Sequence, residues 1–412
     1  MGATSRTTHH APRNTEKITM TNWTFHLPVP VEFGAGCVNK LGKYLGAARR
    51  ALLVTGRHAM KAAGVTDRVC GILAEAGVEA RVFDGITSDP NYDEIIAAAE
   101  MARLFGAEII VGCGGGSALD AAKAVAAAVT HPGPIMEYVI NGPRQITAAT
   151  LPVLAISATS GTGSHIGRVA VLSDRSRGLK RALISDYLYP RAAFCDSEIL
   201  RTMPPEVTAA TGWDAFSQAL EGYLSRADNP IGKLAAQEAL RVIYRALPQA
   251  IRHGDDLDLR SQMALGDTLA GISLATVSVI TPHSLSMVLG GRYGVTHGLG
   301  IASVTPACLE HSGPAALGKL ATVARLLGCS EPLSDDALAD WAIHAIERFI
   351  IEIGVGRPVT AYGVPEADFA SIAQETRTAF AMRVEADPAP PTVADLERIL
   401  HRSVERWGER GN

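Results

Sequence analysis

The chain has 412 residues, of which 47% are hydrophobic and 19% are charged, and its formal net charge at pH 7 is −4. This length suffices for two domains with separate cores, and the slight acidity gives no electrostatic basis for binding nucleic acid or a membrane surface. The six cysteines form no CxxC pair, which disfavours a disulfide framework and a thiolate zinc site and favours a cytoplasmic location.

The first half of the chain has the pattern of an α/β domain. Residues 1–22 are polar and lack the apolar segment of a signal peptide, so they predict a disordered extension. Over residues 23–203, β-branched runs such as RALLVTG, EARVFDG and EIIVG alternate with alanine-rich helical patterns. This alternation predicts βαβ units around a mostly parallel sheet.

The second half, residues 204–412, has apolar residues at three- and four-residue spacing and predicts an all-helical domain. The predicted helices include the segments TAATGWDAFSQALEGYLSR, KLAAQEALRVIYRALPQAI, QMALGDTLAGISLATVS and ADWAIHAIERFIIEIG. Pro204 and Pro205 interrupt both kinds of periodicity, so we place the domain boundary there. No run of about 18 apolar residues predicts a membrane span.

A glycine-rich turn follows the predicted strand EIIVG and precedes the helical pattern ALDAAKAVAAAV. Glycines at a helix N-terminus let backbone N–H groups approach a phosphate, and the helix dipole favours an anion there. The turn lacks the GxGxxG spacing, and any strand-to-helix connection can use such glycines, so it does not identify a cofactor by itself.

Five segments together resemble the iron-containing, or group III, alcohol dehydrogenases in their order and spacing. They are GGGSxxDxxK from Gly114, SATSGTGS from Ser157, GLKRALIS from Gly178, GWDAFSQALE from Gly212 and HSLSMVLGGRYGVTHG from His283. The resemblance spans roughly residues 25–400. It implies the dehydroquinate synthase-like fold, in which an α/β dinucleotide-binding domain with a mostly parallel sheet precedes an all-α domain, and it also implies a homodimer or larger assembly.

The resemblance further implies which residues bind the nicotinamide cofactor in the cleft between the domains. The implied cofactor residues are Gly114, Gly115, Gly116, Ser117, Asp120, Thr159, Thr162 and Lys180. At the family position that often carries an aspartate for the ribose 2′-hydroxyl, this chain has Gly56, followed by Arg57. Loss of that carboxylate beside a guanidinium favours NADP(H) over NAD(H), unless Gly56 only serves a turn and Arg57 only faces solvent.

The family holds a divalent metal, Fe²⁺ or Zn²⁺, with one aspartate and three histidines, and this chain matches three of these four positions. Asp214, His283 and His297 are retained, while Gln218 replaces the histidine four residues after the aspartate. An amide oxygen is a weaker ligand than imidazole for such metals. Two interpretations stay open: a two-histidine, one-carboxylate metal site, or a cleft that works without metal.

Two further family positions are altered. Met287 replaces a histidine associated with proton relay, and a thioether cannot transfer a proton. His165 replaces the glutamate that usually ends the GTGSE segment, and it is either a new acid–base group or a hydrogen-bonded structural residue. Together with Arg168 and Arg292, His165 would suit an anionic substrate, although arginines are most often surface charges.

The expected function is NADP(H)-dependent reduction of an aldehyde or ketone to an alcohol, with or without metal assistance. The expected catalytic set is Asp214, His283, His297 and His165. The alternative is a dehydrogenase fold that catalyses a non-redox step, a cyclisation or elimination in specialised metabolism, and the replacements at Gln218 and Met287 motivate it. In either case we expect a small-molecule partner.

Overall fold

A six-stranded parallel sheet dominates the first half of the chain in the computed structural model, which describes residues 22–174 and 179–408. The predicted extension therefore lies outside the described residues except for residue 22, and so does Gly178. The sheet strands are β1 (Val31–Phe33), β2 (Arg50–Gly56), β3 (Glu79–Ile86), β4 (Ile109–Gly114), β5 (Val153–Ser157) and β8 (Ala192–Cys195). They are ordered β1-β8-β5-β4-β2-β3, and β6 (Val169–Asp174) pairs antiparallel with β7 (Leu179–Ile184).

Helices cover both faces of this sheet, as its fully buried central strands β4, β5 and β8 require. The helices of this half are α1 (Ala59–Ala62), α2 (Val65–Glu75), α3 (Tyr92–Phe105), α4 (Gly116–Thr130) and α5 (Ser197–Leu200). Successive side chains of β2 point to opposite faces: Leu52 packs with the α3 and α4 side, while Leu53 packs with the α2 side. The predicted parallel α/β arrangement is confirmed.

The second half is helical, as its periodicity predicted. Its helices are α6 (Pro205–Leu224), α7 (Pro230–Arg252), α8 (Leu257–Val277), α9 (Thr281–Tyr293), α10 (His297–Ser312), α11 (Leu317–Leu326), α12 (Asp335–Glu352), α13 (Phe369–Ala379), α14 (Ala381–Glu385) and α15 (Val393–Gly408). An aromatic cluster lies at its core, where the Phe216 ring lies 5.5 Å from Trp213 and 5.0 Å from Phe349. The exact domain boundary stays a prediction.

None of the described helices is by itself both long and apolar enough to cross a membrane. Helices α8 and α9 reach that length and composition only when taken together, and they are bent by 99° at their junction.

Parallel pairing gathers three of the predicted segments at one edge of the sheet. Gly114 at the end of β4 is in register with Ser157 at the end of β5, and the Ala158 N–H donates to the Gly114 carbonyl over 2.9 Å. On the other side of β4, Thr55 is in register with Cys113, which places Gly56 at the same edge. Ligands of open parallel sheets bind at these carboxyl ends.

The aspartate and lysine of GGGSxxDxxK lie behind the glycine turn and anchor the segments beside it. Both oxygens of Asp120 accept hydrogen bonds from the protein, one from Ser164 Oγ over 2.5 Å and one from the Val171 N–H over 2.8 Å. The fully buried Lys123 donates to Ser164 Oγ and to the Val169 carbonyl. Asp120 therefore anchors the segment beside the glycine turn through Ser164, with its carboxylate oxygens occupied by the protein itself.

Candidate active site

Three helices of the second half bring Asp214, His283 and His297 together. Asp214 lies in the middle of α6, and the two histidines lie in the first turns of α9 and α10. Each offers one ligand atom, and these atoms all lie within 4.8 Å of one another. The two imidazole rings meet edge to face, with centroids 5.2 Å apart. Residues separated by 69 and 83 positions in sequence thus form one cluster.

Glu221 orients the His283 ring. Its buried carboxylate accepts from His283 Nδ1 over 2.5 Å and also accepts from Ser217 Oγ and from the Ile280 N–H at the start of α9. This leaves His283 Nε2 facing Asp214 Oδ1 at 3.2 Å. Burial opposes protonation of His283, but the charge of Glu221 and the hydrogen bonds to both carboxylates raise its pKa to about 9. In the metal-free protein His283 therefore carries a proton on Nε2, which a metal would replace.

Ser286 orients the His297 ring in the same way. The Ser286 hydroxyl donates to the His297 carbonyl over 2.8 Å, so its oxygen accepts from His297 Nδ1, 3.0 Å away. The Nε2 lone pair of His297 is consequently available for a ligand. Burial is the main reason that the pKa of His297 falls to about 4, and His297 is neutral at pH 7.

These residues fit a divalent metal ion. Metal-binding histidines almost always donate the other ring N–H to a carboxylate, carbonyl or similar group, and Glu221 and Ser286 provide these acceptors. Two histidines and one carboxylate with open positions form a set that suits Fe²⁺ or Zn²⁺. A further buried atom, Oε1 of Gln218, accepts no hydrogen bond from the residues described. The chain could therefore hold a metal through Asp214, His283 and His297.

Gln218 occupies the fourth family position but bonds to the protein. Its Nε2 donates to Asp214 Oδ1 over 3.1 Å and to the Gly161 carbonyl over 3.0 Å. The side chain is 3% exposed, and it lies one turn after Asp214 on the same face of α6. In this arrangement the Nε2 side of the amide supports Asp214, while Oε1 has no hydrogen-bond partner among the described residues.

The glycine turn packs against the Ser157–Ser164 segment as a candidate phosphate cradle. Gly114 has a φ of +150°, which L side chains rarely adopt. A Cβ on Gly115 would lie 3.1 Å from Thr159 Cγ2, and one on Gly116 would lie 2.6 Å from Thr162 Cγ2. Helix α4 then begins at Gly116 without a side-chain cap from the described residues, so its N-terminus suits an anion. The structure thus brings the predicted glycines and threonines together.

Lys180 and Ser117 lie on either side of Asp89. Lys180 Nζ lies 2.9 Å from Asp89 Oδ1 and is 7% exposed, and Ser117 Oγ accepts from the Asp89 N–H over 3.1 Å. Asp89 has a φ of +54°, an uncommon conformation for a residue other than glycine. A Cβ on Gly290 of α9 would lie 3.0 Å from Lys180 Nζ, so this pair joins the glycine turn to the helix that carries His283.

Gly56 and Arg57 lie at the end of β2, on the cofactor edge of the sheet. A Cβ on Gly56 would come no closer than 3.6 Å to the neighbouring Ile86 carbonyl, so the position has room for a side chain. The Arg57 side chain is 58% exposed and lies 4.0 Å from Glu94. Its guanidinium is therefore accessible to a ligand.

His165 lies away from the three ligand residues, behind the Ser157–Ser164 segment and against α8. Thr268 Oγ1 donates to the Ala264 carbonyl, so His165 Nε2 donates to Thr268 Oγ1 over 3.0 Å. The other nitrogen, Nδ1, lies 3.7 Å from Asp267 Oδ2 and has no hydrogen-bond partner among the residues described. At 1% exposure and with a pKa lowered to about 3 by burial and by the charge of Lys123, His165 is a neutral structural group. This placement gives no support to the predicted catalytic role of His165.

Asp267 is the titratable residue that faces His165. Burial raises its pKa to about 7, against the opposing effect of hydrogen bonds from the backbone of Gly163 and Gly161. Its Oδ1 accepts from the Gly163 N–H over 2.8 Å. Since the His165 Nδ1 lone pair faces Oδ2, a proton on Asp267 removes an unfavourable contact between two acceptors.

The other altered positions do not form the predicted anion site. Arg168 is exposed and pairs with Asp186 at 2.5 Å, and Arg292 pairs with Glu375 on α13 at 2.5 Å. Two of the three expected cations are thus paired with carboxylates and the third, His165, is neutral and buried, so this arrangement gives no support to the expected anion site. Met287 lies on α9, one turn after His283.

Sequence reasoning missed four residues of this site, listed here as Glu221, Ser286, Asp267 and Asp89. One signal was available, because Asp214, Gln218 and Glu221 have i, i+4, i+7 spacing and share one face of a predicted helix. A carboxylate on such a face needs a buried partner. The contacts of Asp267 and Asp89 join distant segments, and Ser286 contacts His297 across the connection between α9 and α10, so none of the three follows from a local pattern.

Comparisons with known proteins agree with this arrangement. Residues 28–197 match the description "Iron-containing alcohol dehydrogenase", and residues 208–404 match "Fe-containing alcohol dehydrogenase family, C-terminal". The 1,3-propanediol dehydrogenase of Citrobacter freundii is 34% identical over 348 residues, which are 83% of this chain and 89% of that protein. The NAD-dependent methanol dehydrogenase of Bacillus methanolicus is 30% identical over 390 residues, 93% of this chain and 100% of that protein.

A solved structure of a 1,3-propanediol oxidoreductase superposes with a TM-score of 0.88 at 30% identity, covering 93% of this chain and 100% of that one. The protein therefore belongs to the iron-containing alcohol dehydrogenase family, as the five sequence segments predicted. Its general class is that of oxidoreductases acting on alcohols and aldehydes.

The buried Asp267 predicts a pH-dependent stability. Its pKa is higher in the fold than in the unfolded chain, so its stabilising contribution is complete below about pH 4 and is lost as the pH rises through about 7. We expect the free energy of unfolding to fall by about 1.4 kcal/mol between pH 6 and pH 8 from this group alone. Asp267→Asn keeps the acceptor for Gly163 and replaces the proton with an amide hydrogen, so it should flatten this slope in denaturant titrations.

Asp84, which is exposed, provides the matched control, Asp84→Asn. An Asp267→Asn slope equal to that of the unmodified protein would show that Asp267 is not the group responsible.

Proposed function

We propose that the protein interconverts an aldehyde or ketone and the corresponding alcohol with NADP(H), using a divalent metal held by Asp214, His283 and His297. The observation that carries this proposal is the assembly of these three ligand atoms within 4.8 Å, with the Nδ1 atoms of both histidines already bonded elsewhere. The cytoplasmic location and the homodimer stay predictions.

In this proposal one group of residues holds the metal and a second group, Glu221 and Ser286, orients the metal-binding histidines. When bound, the metal would polarise the substrate oxygen as a Lewis acid, and the nicotinamide would exchange hydride with the substrate carbon. Glu221 and Ser286 keep the Nε2 atoms of the two histidines directed at one point. The buried position of Asp214 and His283 excludes water from that point and strengthens the electrostatic interactions there. The fixed orientation of Asp214, His283 and His297 supports the proposal that a metal held by them would align the substrate oxygen.

The proposed preference for NADP(H) depends on charge at the end of β2. Gly56 places no carboxylate there, and the exposed Arg57 guanidinium offers paired N–H donors suited to a phosphate. Among the described residues, Arg57 makes a 4.0 Å ion pair with Glu94 and donates a 3.4 Å hydrogen bond from Nε to the Gly85 carbonyl. Both contacts are long and exposed, so turning towards a 2′-phosphate costs little.

The activity test combines turnover with metal removal. We expect NADPH-dependent reduction across a panel of short aldehydes, and loss of this activity after chelation with recovery on adding Fe²⁺ or Zn²⁺. The measurements are absorbance at the nicotinamide band and metal content by mass spectrometry. Turnover that survives complete metal removal would favour metal-free reduction, while a protein without turnover or nucleotide binding would favour the non-redox alternative.

Glu221→Gln tests the metal site without depending on turnover. The amide keeps the size of the side chain but can present its N–H to His283 Nδ1, which favours the wrong ring tautomer. Loss of such a supporting partner lowers metal affinity about 10- to 100-fold. The affinity is measured by competition with a chelating dye.

Glu352→Gln, at an exposed glutamate on α12, is the control for this substitution. Unchanged metal affinity in Glu221→Gln would remove the proposed role of Glu221.

Gly56→Asp tests the cofactor preference. The position accepts a Cβ without close contacts, so the variant should fold, and the new carboxylate should repel a 2′-phosphate and accept from a ribose hydroxyl. We expect the ratio of NADPH to NADH affinity to fall about tenfold or more, corresponding to at least about 1.4 kcal/mol. Titration of each nucleotide by fluorescence gives this ratio.

Gly71→Asp, on the surface of α2 where a Cβ would meet nothing within 4 Å, adds the same charge away from the site. An unchanged ratio in Gly56→Asp would refute the charge argument.

A further inference from the structure

Gln218 has an orientation that its two neighbours determine. Both groups within hydrogen-bond distance of Nε2, the Asp214 carboxylate and the Gly161 carbonyl, are acceptors only. The amide must therefore point its two N–H groups at them, one to each. At 3% exposure, no solvent molecule is expected to replace either bond readily.

The Gly161 carbonyl belongs to the segment that contacts the glycine turn. A Cβ on Gly161 would lie 2.6 Å from Thr211, so this turn packs directly on α6. In the same segment Thr159 and Thr162 lie against Gly115 and Gly116. Gln218 thus connects a metal-ligand carboxylate to the segment that lines the phosphate cradle, through one side chain and one carbonyl.

A second bond holds the same turn from another helix. Asp267 on α8 accepts from the Gly163 N–H over 2.8 Å. The turn is therefore bonded to the helical half at two points, the Gly161 carbonyl by Gln218 and the Gly163 N–H by Asp267. Of these two attachments, only Gln218 also contacts one of the three ligand residues. Gln218 therefore provides a direct hydrogen-bonded connection between the turn and the Asp214 carboxylate.

We propose that Gln218 is a positioning residue that couples metal binding to nucleotide binding. It takes this role at the position where the family has a histidine as fourth metal ligand. A nucleotide that orders the Ser157–Ser164 segment fixes Gly161, and therefore Gln218 and the Asp214 carboxylate, in the geometry that the metal needs. Pre-ordering one site reduces the ordering that the other requires, so the coupling is positive. This inference rests on the proposed function, because it assumes that both ligands bind.

The test is a complete binding cycle with Zn²⁺ and NADPH, without any turnover measurement. Zn²⁺ affinity is measured by dye competition with and without NADPH, and NADPH affinity by fluorescence with and without Zn²⁺. We expect each ligand to tighten the other by about tenfold, and linkage requires the two factors to be equal.

Two variants isolate the link. Gln218→Met keeps the length of the side chain but cannot donate, so the coupling factor should fall to about twofold or less. Gln218→His restores the residue that the family carries, so Zn²⁺ should bind more tightly while the coupling still falls, because the imidazole that ligates a metal no longer bonds to Gly161. Gln249→Met, at an exposed position on α7, is the control and should leave the cycle unchanged.

A purely structural role for Gln218 would weaken both ligands in Gln218→Met but leave the coupling factor unchanged, and that result would overturn the inference. If Zn²⁺ and NADPH both bind the unmodified protein but neither changes the affinity of the other, the inference is also overturned, while the proposed function stays intact. If the protein binds no Zn²⁺ or no NADPH, the proposed function and this inference both fail.

Discussion

The turn at Gly161–Gly163 contacts both halves of the molecule: the glycine turn of the α/β half and two helices of the second half. The geometry of the candidate site depends on these contacts. On one side, Thr159 and Thr162 pack so closely on the glycine turn that no side chain fits at Gly116. On the other side, Gln218 and Asp267 bond to the backbone of the turn from two helices. Because the turn has no side chain at Gly161 or Gly163, these helices can approach its backbone directly.

The polar groups that make these contacts are buried, so each needs a partner. A buried polar group left without one costs roughly 1–3 kcal/mol, and a buried charge costs more. Glu221 meets this need with four donors, among them His283 Nδ1 and the N–H of Ile280, the residue that precedes α9. The interactions that orient the ligand residues therefore also fix where α9 begins. Stability and site geometry depend on the same hydrogen bonds.

The residues at the three altered family positions have different roles in this hydrogen-bond network. Gln218 is a donor that joins two acceptors, whereas His165 is a buried neutral residue that faces Asp267 behind the Ser157–Ser164 segment. Met287 lies one turn from His283 and has no titratable group. The changes at positions 165 and 218 lie on either side of one turn, so a replacement at one of them is expected to depend on the other.

Much of this site could be predicted from local sequence. Alternating β-branched runs and glycines indicated the parallel sheet and the glycine turn at its edge, because backbone conformation and strand burial act over a few residues. The spacing of Asp214, His283 and His297 matched a family pattern, and the structure brings them together. Glu221 shared a helix face with Asp214 and could have been found from periodicity alone.

The sequence alone determined the fold class, the glycine turn and the three ligand candidates, because periodicity and residue type are local properties. Only the tertiary structure decided what Gln218, His165 and Arg168 contact. A glutamine can ligate, donate or accept, and neighbouring charges can move a histidine pKa either way. The roles of Gln218 and His165 therefore depend on atoms more than 50 positions away in the chain. That distance explains why the expected catalytic His165 proved to be a buried neutral group beside Asp267.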